Sequence, residues 1–548
     1  MSKRFWINLT ITNVVVLGAA AGAVGAYVGL SNQFLDTSRI TNPNNSVGYL
    51  NLNENIINKT YDENAFIKNA QEVANDDSVL FYSISWVATL HKMAPIAHIL
   101  KVLELNNNKK IFLYVTNNLI NKYNLDLIKQ RYPSFNYKVI NDLSSNGTDY
   151  ANSFQIPCVN EIKNDIKNNN LENVNKRIYI PDYFILSILS NLPTSNLSRA
   201  QNLYNNYFYL AKTFKEINLI SDGTATILAF GNNLYTFYKN NDELNFDRTQ
   251  NKFVNAITLQ KELNNYDEIS FTTWIKKDKK NAMLYLTTLL SSGMTQEQGL
   301  SKINLYMPYT GMLRDYNNTT SKKLDKNIEY NEYFNPLDFS GLNIIDLIDN
   351  LNKTSFDLLW NTFKLPLVND LEKNFNNHKN LVYGGALLSD DNIITNEANK
   401  ILKILESQND LTNVKLWFKP HPRENDDNLS KLINKVNEIS KNKNSQTIDY
   451  TNKIDFLNKS IPFEFLLMTS AFKNDSTQNR TVEIYTTYST LYFTIIASKK
   501  KDLIKKILLT KTQKDEIVFE YGTPTPSNNT TPNSSQSICF NEDIFWII

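Results

Sequence analysis

Two cysteines, Cys158 and Cys539, are all that the 548 residues contain. They show no metal-ligand spacing and no disulfide framework, and a bridge between the two is left open. Histidine is nearly as scarce. His91, His98, His378 and His421 form neither an H-x-x-H nor an H-E-x-x-H pair, which excludes the helical zinc-hydrolase arrangement. No D-x-D occurs, so the usual handle of a metal-dependent sugar transferase is missing. A G-K-[ST] phosphate loop and a G-x-S-x-G elbow are also absent. Nor is there an excess of charge: 57 basic residues against 55 acidic ones leave +2. That balance points to no nucleic-acid partner and no acidic tail.

What is present describes a folded chain, 42% hydrophobic and 20% charged, with Asn-rich runs that read as solvated loops. Its length exceeds one ordinary core, so two or three domains are expected. Lys3 and Arg4 precede an apolar run over residues 14–30. About 17 residues is short for a membrane span and long for a signal-peptide core. No cysteine follows closely, which excludes a lipoprotein anchor, while Ala19, Ala21 and Ala23 would allow cleavage. Residues 1–31 are therefore expected to be a signal anchor or a signal peptide. The anchor is the preferred reading: one membrane segment in the cell membrane, its side left open, or a secreted protein if the segment is cleaved. Residues 32–75 read as a polar tether.

From residue 76 the pattern alternates. Short apolar runs at 79–82, 110–115, 137–140, 177–180 and 217–220 are strand candidates. Helical spacing falls between them at 87–105, 119–131, 184–190 and 207–214. This βαβ rhythm predicts a parallel sheet and an amino-terminal Rossmann-like domain over 76–250. Residues 251–376 read as a mostly helical connecting region. A second α/β rhythm starts at Leu381-Val-Tyr-Gly-Gly and defines a carboxyl-terminal Rossmann-like domain over 377–530. The Thr/Pro/Asn-rich tract at 523–537 is a loop, and the apolar Phe545-Trp-Ile-Ile ending predicts that residues 531–548 dock back on a core. The predicted class is α/β, with two Rossmann-like domains facing a cleft in the GT-B arrangement.

The organising motif is Lys415-Leu-Trp-Phe-Lys419-Pro420-His421-Pro422-Arg423. Its first half alternates like a strand, and the two prolines then stop it. A histidine flanked by Lys419 and Arg423 is thereby fixed at the carboxyl end of a strand, where open α/β sheets bind ligands. Two cations and an imidazole suit a phosphate; the plain alternative is a charged loop. In the first half, Ser221-Asp222-Gly223 also follows a strand. Asp-Gly there is ordinarily a turn, although a carboxylate fixed at a strand end can serve as a general base. Glu464 reads as a first-turn helix carboxylate or as a ribose ligand. Ser489 and Thr490 read as helix caps, and their hydroxyls could complete a phosphate site that needs no metal.

In this order the motifs resemble those of the bacterial sialyltransferases of glycosyltransferase family 80, the Pasteurella and Photobacterium type. That family has Asp-Asp-Gly in its first half, then Phe-Lys-Gly-His-Pro, a glutamate and a serine pair. Here the corresponding stretches are Ser221-Asp222-Gly223, Phe418-Lys419-Pro420-His421-Pro422, Phe463-Glu464 and Ser489-Thr490. The likeness is clearest over 215–230 and 411–495. Ser221, Pro420 and Thr490 depart from the pattern, and Pro420 removes a backbone N–H from the phosphate loop. Asp182 stands where the family has an acceptor-side histidine. Residues 386–389 stand where it has a tryptophan, so the acceptor does not carry over.

The resemblance implies an inverting, metal-independent sialyltransferase with CMP-sialic acid as donor substrate and no cofactor. Its acceptor would be a glycan or glycolipid hydroxyl, α-2,3 transfer to galactose being one form with the linkage left open. By the same analogy Asp222 is the base and His421 the acid or the stabiliser of the leaving phosphate. Lys419, Ser489 and Thr490 hold that phosphate and Glu464 the ribose, with Gly223, Pro420 and Pro422 lining the donor site. Two alternatives stand beside it: a GT-B transferase using another nucleotide sugar, and a non-catalytic surface protein on this fold.

Overall fold

The computed structural model describes residues 64–84, 89–141, 154–182, 184, 206, 209–221, 246–247, 252–253, 302–307, 338–366, 369–421, 424–443, 449–487, 491, 494–495, 498–509 and 545–547. The apolar segment at 14–30 lies outside them. Among the described residues no helix is long and apolar enough to cross a membrane. The chain divides into two compact units between Lys364 and Leu365.

The first unit is built on a seven-stranded sheet. Its strands are β1 (Val79–Ile84), β2 (Ile111–Thr116), β3 (Phe135–Ile140), β4 (Lys176–Pro181), β5 (Glu216–Ile220), β6 (Lys302–Met307) and β7 (Asp338–Gly341). They run in the order β3-β2-β1-β4-β5-β6-β7, and every pairing is parallel. Each residue of β1, β2 and β4 is buried, as expected of a parallel sheet covered on both faces. Helix α1 (Ala65–Asn75) buries Phe66, Ile67, Ala70, Val73 and Ala74, a single stripe at helical spacing. It packs beside α2 (Thr89–Leu105). Helices α3 (Asn117–Ile120), α4 (Asp126–Arg131), α5 (Ile156–Asn168), α6 (Ile344–Asp349) and α7 (Lys353–Thr362) also belong to this unit, as does an antiparallel ribbon of Phe246–Asp247 and Lys252–Phe253. Cys158, in α5, is a buried free thiol.

The second unit is a six-stranded sheet in the order β10-β9-β8-β11-β12-β13, again all parallel. Its strands are β8 (Lys379–Gly384), β9 (Val414–Lys419), β10 (Ile454–Phe456), β11 (Thr481–Thr487), β12 (Ile504–Leu509) and β13 (Phe545–Ile547). Helix α8 (Asn369–Phe375) precedes β8; α9 (Asp391–Glu406), α10 (Asp426–Lys443) and the short α11 (Phe463–Leu466) follow. Helix α9 turns Ile394, Ala398, Ile401, Leu402 and Leu405 onto the core formed with Leu416 and Phe418. Its amino end is fixed by Asp390, whose carboxylate accepts from the backbone N–H groups of Asn392 and Ile393, both at 3.0 Å. The chain's last strand, β13, pairs with β12, and Lys403 lies over the Trp546 ring.

Several boundaries differ from the sequence expectation. The tether assigned to 32–75 ends in helix α1, whose polar outer face masks its apolar stripe. The first domain was expected to stop at 250, yet β6 and β7 extend its sheet from within the stretch read as helical. The unit boundary follows Lys364, rather than lying near 250 and 376. The single helix expected over 119–131 is two short ones, α3 and α4, separated by a turn at Asn121–Leu125.

Candidate functional site

In both units the order of strands reverses at one place, between β1 and β4 in the first sheet and between β8 and β11 in the second. At such a switch point loops leave the two neighbouring strands in opposite directions, and open α/β sheets bind ligands at its carboxyl edge.

In the second unit this edge begins with Gly384 and Gly385. A Cβ on Gly385 would come within 2.3 Å of the Phe418 ring and 2.6 Å of the Glu397 carboxylate, so only glycine fits. Glu397 is buried in α9. It accepts from the Tyr383 hydroxyl at 2.7 Å, from the Ala386 N–H at 3.2 Å and from Lys400 at 2.6 Å. Burial and the Glu397 charge push the Tyr383 hydroxyl far above its ordinary pKa, so it remains a donor. The loop after β8 is thus held close to the sheet, which suits a ligand that needs backbone approach.

The neighbouring strand β9 delivers the motif. Gly384 pairs in register with Lys419, its last residue, and Pro420 and His421 follow outside the strand. Pro420 is buried and His421 half-buried; Pro422 lies outside the described residues. Lys419 is turned inward and only 7% exposed. Its ammonium donates to the Pro420 carbonyl at 2.9 Å and the Lys459 carbonyl at 3.3 Å. Burial lowers its pKa to about 8, against the opposing pull of nearby Glu464. Glu464 is itself buried, in the first turn of α11. Lys419 and His421 therefore stand at one strand end, with Glu464 close enough to Lys419 for the two charges to interact. Ser489 and Thr490 lie outside the described residues. The next residue, Leu491, packs its side chain on Gly384, where an added Cβ would be 2.7 Å from it.

In the first unit β5 ends at Ile220, followed by the buried Ser221; Asp222 and Gly223 lie outside the described residues. The switch point holds a buried pair, of which the motifs marked only Asp182. Asp182, just after β4, lies 3.1 Å from His91 in the first turn of α2. The Asp182 N–H also donates to the Ile220 carbonyl at 2.9 Å, locking the ends of β4 and β5 together.

His98 belongs to the core. Its ring nitrogens lie 2.8 Å from the Tyr82 hydroxyl and 3.1 Å from the Asn69 amide oxygen, and Tyr179 donates to that same oxygen at 2.6 Å. Burial lowers its pKa to about 3, so it stays neutral. His378 precedes β8 at the opposite edge of the sheet from His421. Among the described residues no group of three or more His, Cys, Asp or Glu side chains is placed to hold a metal ion.

Sequence reasoning also passed over Glu424, three residues beyond His421 and buried at the same edge. A carboxylate one residue after the Pro-His-Pro-Arg turn was the available signal.

No family model matches the chain, and no curated protein does. Its structural neighbours include three bacterial sialyltransferases and a UDP-N-acetylglucosamine 2-epimerase homologue of Listeria monocytogenes. One is the α/β-galactoside α-2,3-sialyltransferase of Photobacterium phosphoreum, at 13% identity over 86% of this chain and 99% of that one, with a TM-score of 0.45. A second is a Photobacterium 2,6-sialyltransferase solved with the donor product CMP and the acceptor lactose, at 15% identity over 81% and 76% of the two chains, TM-score 0.45. A third is a sialyltransferase from Photobacterium damsela, at 13% identity over 86% and 81%, TM-score 0.43.

Proposed function

We propose that this protein is an inverting, metal-independent sialyltransferase of the GT-B kind, moving sialic acid from CMP-sialic acid to a glycan or glycolipid hydroxyl. The observation that carries the reading is the placement of Lys419 and His421 at the end of β9, with the Glu464 charge close to Lys419, beside the switch point of the second sheet and the close-held Gly384-Gly385 loop. The second unit is accordingly the nucleotide side and the first the acceptor side.

In this reading the acceptor hydroxyl attacks the anomeric carbon as its proton passes to the Asp222 carboxylate. The bond from that carbon to the CMP phosphate oxygen breaks, and the electron pair leaves with CMP. His421 donates a proton to the departing phosphate or, as the imidazolium, offsets its charge. Lys419 supplies positive charge from beneath the Pro420–His421 turn, its ammonium being engaged with that turn's carbonyl. Ser489 and Thr490 hold the phosphate, Glu464 the ribose diol, and Gly223, Pro420 and Pro422 line the donor. A monophosphate leaving group carries less charge than a diphosphate, which suits a site of one lysine, one histidine and hydroxyls. The amino-terminal segment would tether the enzyme to a membrane.

A general acid or base contributes roughly 10²–10⁴-fold to rate. Asp222→Asn and His421→Ala should each lower turnover by about that factor, with donor affinity changed much less. Near-normal turnover in a folded Asp222→Asn protein would remove the proposed base and most of this mechanism.

A further inference from the structure

Three loops meet at the carboxyl edge of the second sheet, those after β8, β9 and β10, and one side chain is bonded to the first two while its backbone holds the third. Glu424 is 4% exposed. One carboxylate oxygen accepts from the Leu388 N–H at 2.7 Å, in the loop after β8. The other accepts from the Asn425 N–H at 3.0 Å and from the Asn428 amide at 3.2 Å. The backbone N–H of Glu424 donates to the His421 carbonyl at 2.9 Å, closing the turn that presents the imidazole. Its own carbonyl accepts from Lys459 at 2.9 Å, in the loop after β10. The Lys459 carbonyl in turn accepts from Lys419. Asn428 doubles the link by donating to the Leu388 carbonyl at 2.7 Å.

A buried carboxylate is costly unless N–H groups satisfy it, and once satisfied it is strongly directional. Here the side chain's donors are the Leu388 N–H in the loop after β8, the Asn425 N–H in the loop after β9 and the Asn428 amide in the first turn of α10, all at the carboxyl edge of the sheet. We propose that Glu424 is the positioning residue for His421: it holds the His421 backbone at a fixed height against the Gly384–Ser389 loop. This inference rests on the reading that His421 acts at the departing phosphate. Glu424 touches no substrate and acts through the turn.

The substitution that isolates this role is Glu424→Gln in the full-length protein. Glutamine keeps the size but has one acceptor oxygen, so its NH₂ must face either the Leu388 N–H or the Asn425 and Asn428 donors. With ¹⁵N-histidine labelling, the His421 ring signals, assigned by their loss in His421→Ala, are compared in the two proteins without substrate. Turnover and donor KM are then measured with CMP-sialic acid. We expect the His421 signals to shift while those of His98 stay in place. Turnover should fall on the order of 10²-fold, the effect of an ångström-scale misplacement, with donor KM changed less than about threefold. Unchanged His421 signals in a folded Glu424→Gln protein would overturn the proposal, as would a fall in turnover matched by an equal rise in KM.

If the wild type turns over no sialyl donor, the catalytic reading fails on its own, and the ring signals still decide whether Glu424 sets His421. Should Glu424→Gln fail to fold, Asn428→Ala replaces it. That change removes one donor from Glu424 and one from the Leu388 carbonyl, and the same shift at His421 is expected. Its absence would count against the proposal equally.

Discussion

Replacing Gly385 by alanine tests whether the loop after β8 and the motif after β9 are mechanically one site. The added Cβ would lie 2.3 Å and 2.7 Å from two atoms of the Phe418 ring and 2.6 Å from Glu397 Oε2. Carbon atoms pack at about 3.5–4.0 Å, so roughly an ångström of movement is required. Phe418 cannot give way freely. It is fully buried, lies 5.8 Å from the Tyr383 ring and directly precedes Lys419. Moving Glu397 instead would break its bonds to Tyr383 and Ala386. Overpacking of this kind costs about 1–3 kcal/mol. For a unit of this size that lowers the melting temperature by about 2–4 °C per kcal/mol. Gly384→Ala is the internal control, because among the described residues its Cβ would meet only the terminal methyl of Leu491, a side chain that can rotate away. Calorimetric melting and titration with CMP should show Gly385→Ala less stable by about 4–8 °C for a 2 kcal/mol cost. It should also bind CMP at least about tenfold more weakly, a loss of about 1.4 kcal/mol, with Gly384→Ala much closer to wild type. Equal behaviour of the two variants, or wild-type CMP binding by Gly385→Ala, would refute the reasoning.

Two further outcomes follow from buried titrating groups. His98 has its pKa lowered from 6.5 to about 3 by burial, so the unfolded chain binds the extra proton first as pH falls. Its contribution to stability is complete above pH 6.5 and is lost toward pH 3, by about 1.4 kcal/mol per pH unit. Urea unfolding of the first unit should lose about 2–3 kcal/mol between pH 7 and 4.5; His98→Gln should flatten that slope, and an unaltered slope would exclude His98 as its source. Lys419 has its pKa lowered to about 8, so raising the pH removes its ammonium well before that of an ordinary lysine. If its charge serves the donor phosphate, kcat/KM falls above about pH 8, and Lys419→Arg moves that limb to higher pH; a wild-type profile flat to pH 10 would show that the charge is dispensable.

The parallel sheets were legible because strands buried on both faces leave short, nearly continuous apolar runs such as Val79–Ile84 and Ile111–Thr116. The motif at β9 was legible for a related reason: prolines end a strand wherever they occur. Helix α1 was missed because Lys68, Gln71 and Glu72 make its window polar overall, and its apolar stripe shows only once residues are read at helical spacing. Strands β6 and β12 were missed because Lys302, Asn304, Lys505 and Lys506 interrupt them. Neither strand is identifiable until its parallel partner is known. The roles of Glu424 and of the His91–Asp182 pair depend on contacts across 36 and 91 residues of sequence. No local pattern encodes such distances. The place of His98 in the first core depends in the same way on bonds to Tyr82 and Asn69, residues in other elements.

The central claim is the identity of the donor. Full-length protein would be incubated with a mixed panel of glycan and glycolipid acceptors and, separately, CMP-sialic acid, a UDP-sugar and a GDP-sugar, in EDTA, with nucleotide release and glycan product followed together. The account predicts that CMP appears in step with a sialylated product, that neither UDP nor GDP is released, and that Asp222→Asn abolishes most of the signal. Release of UDP or GDP in place of CMP, or CMP release that survives Asp222→Asn undiminished, would contradict it.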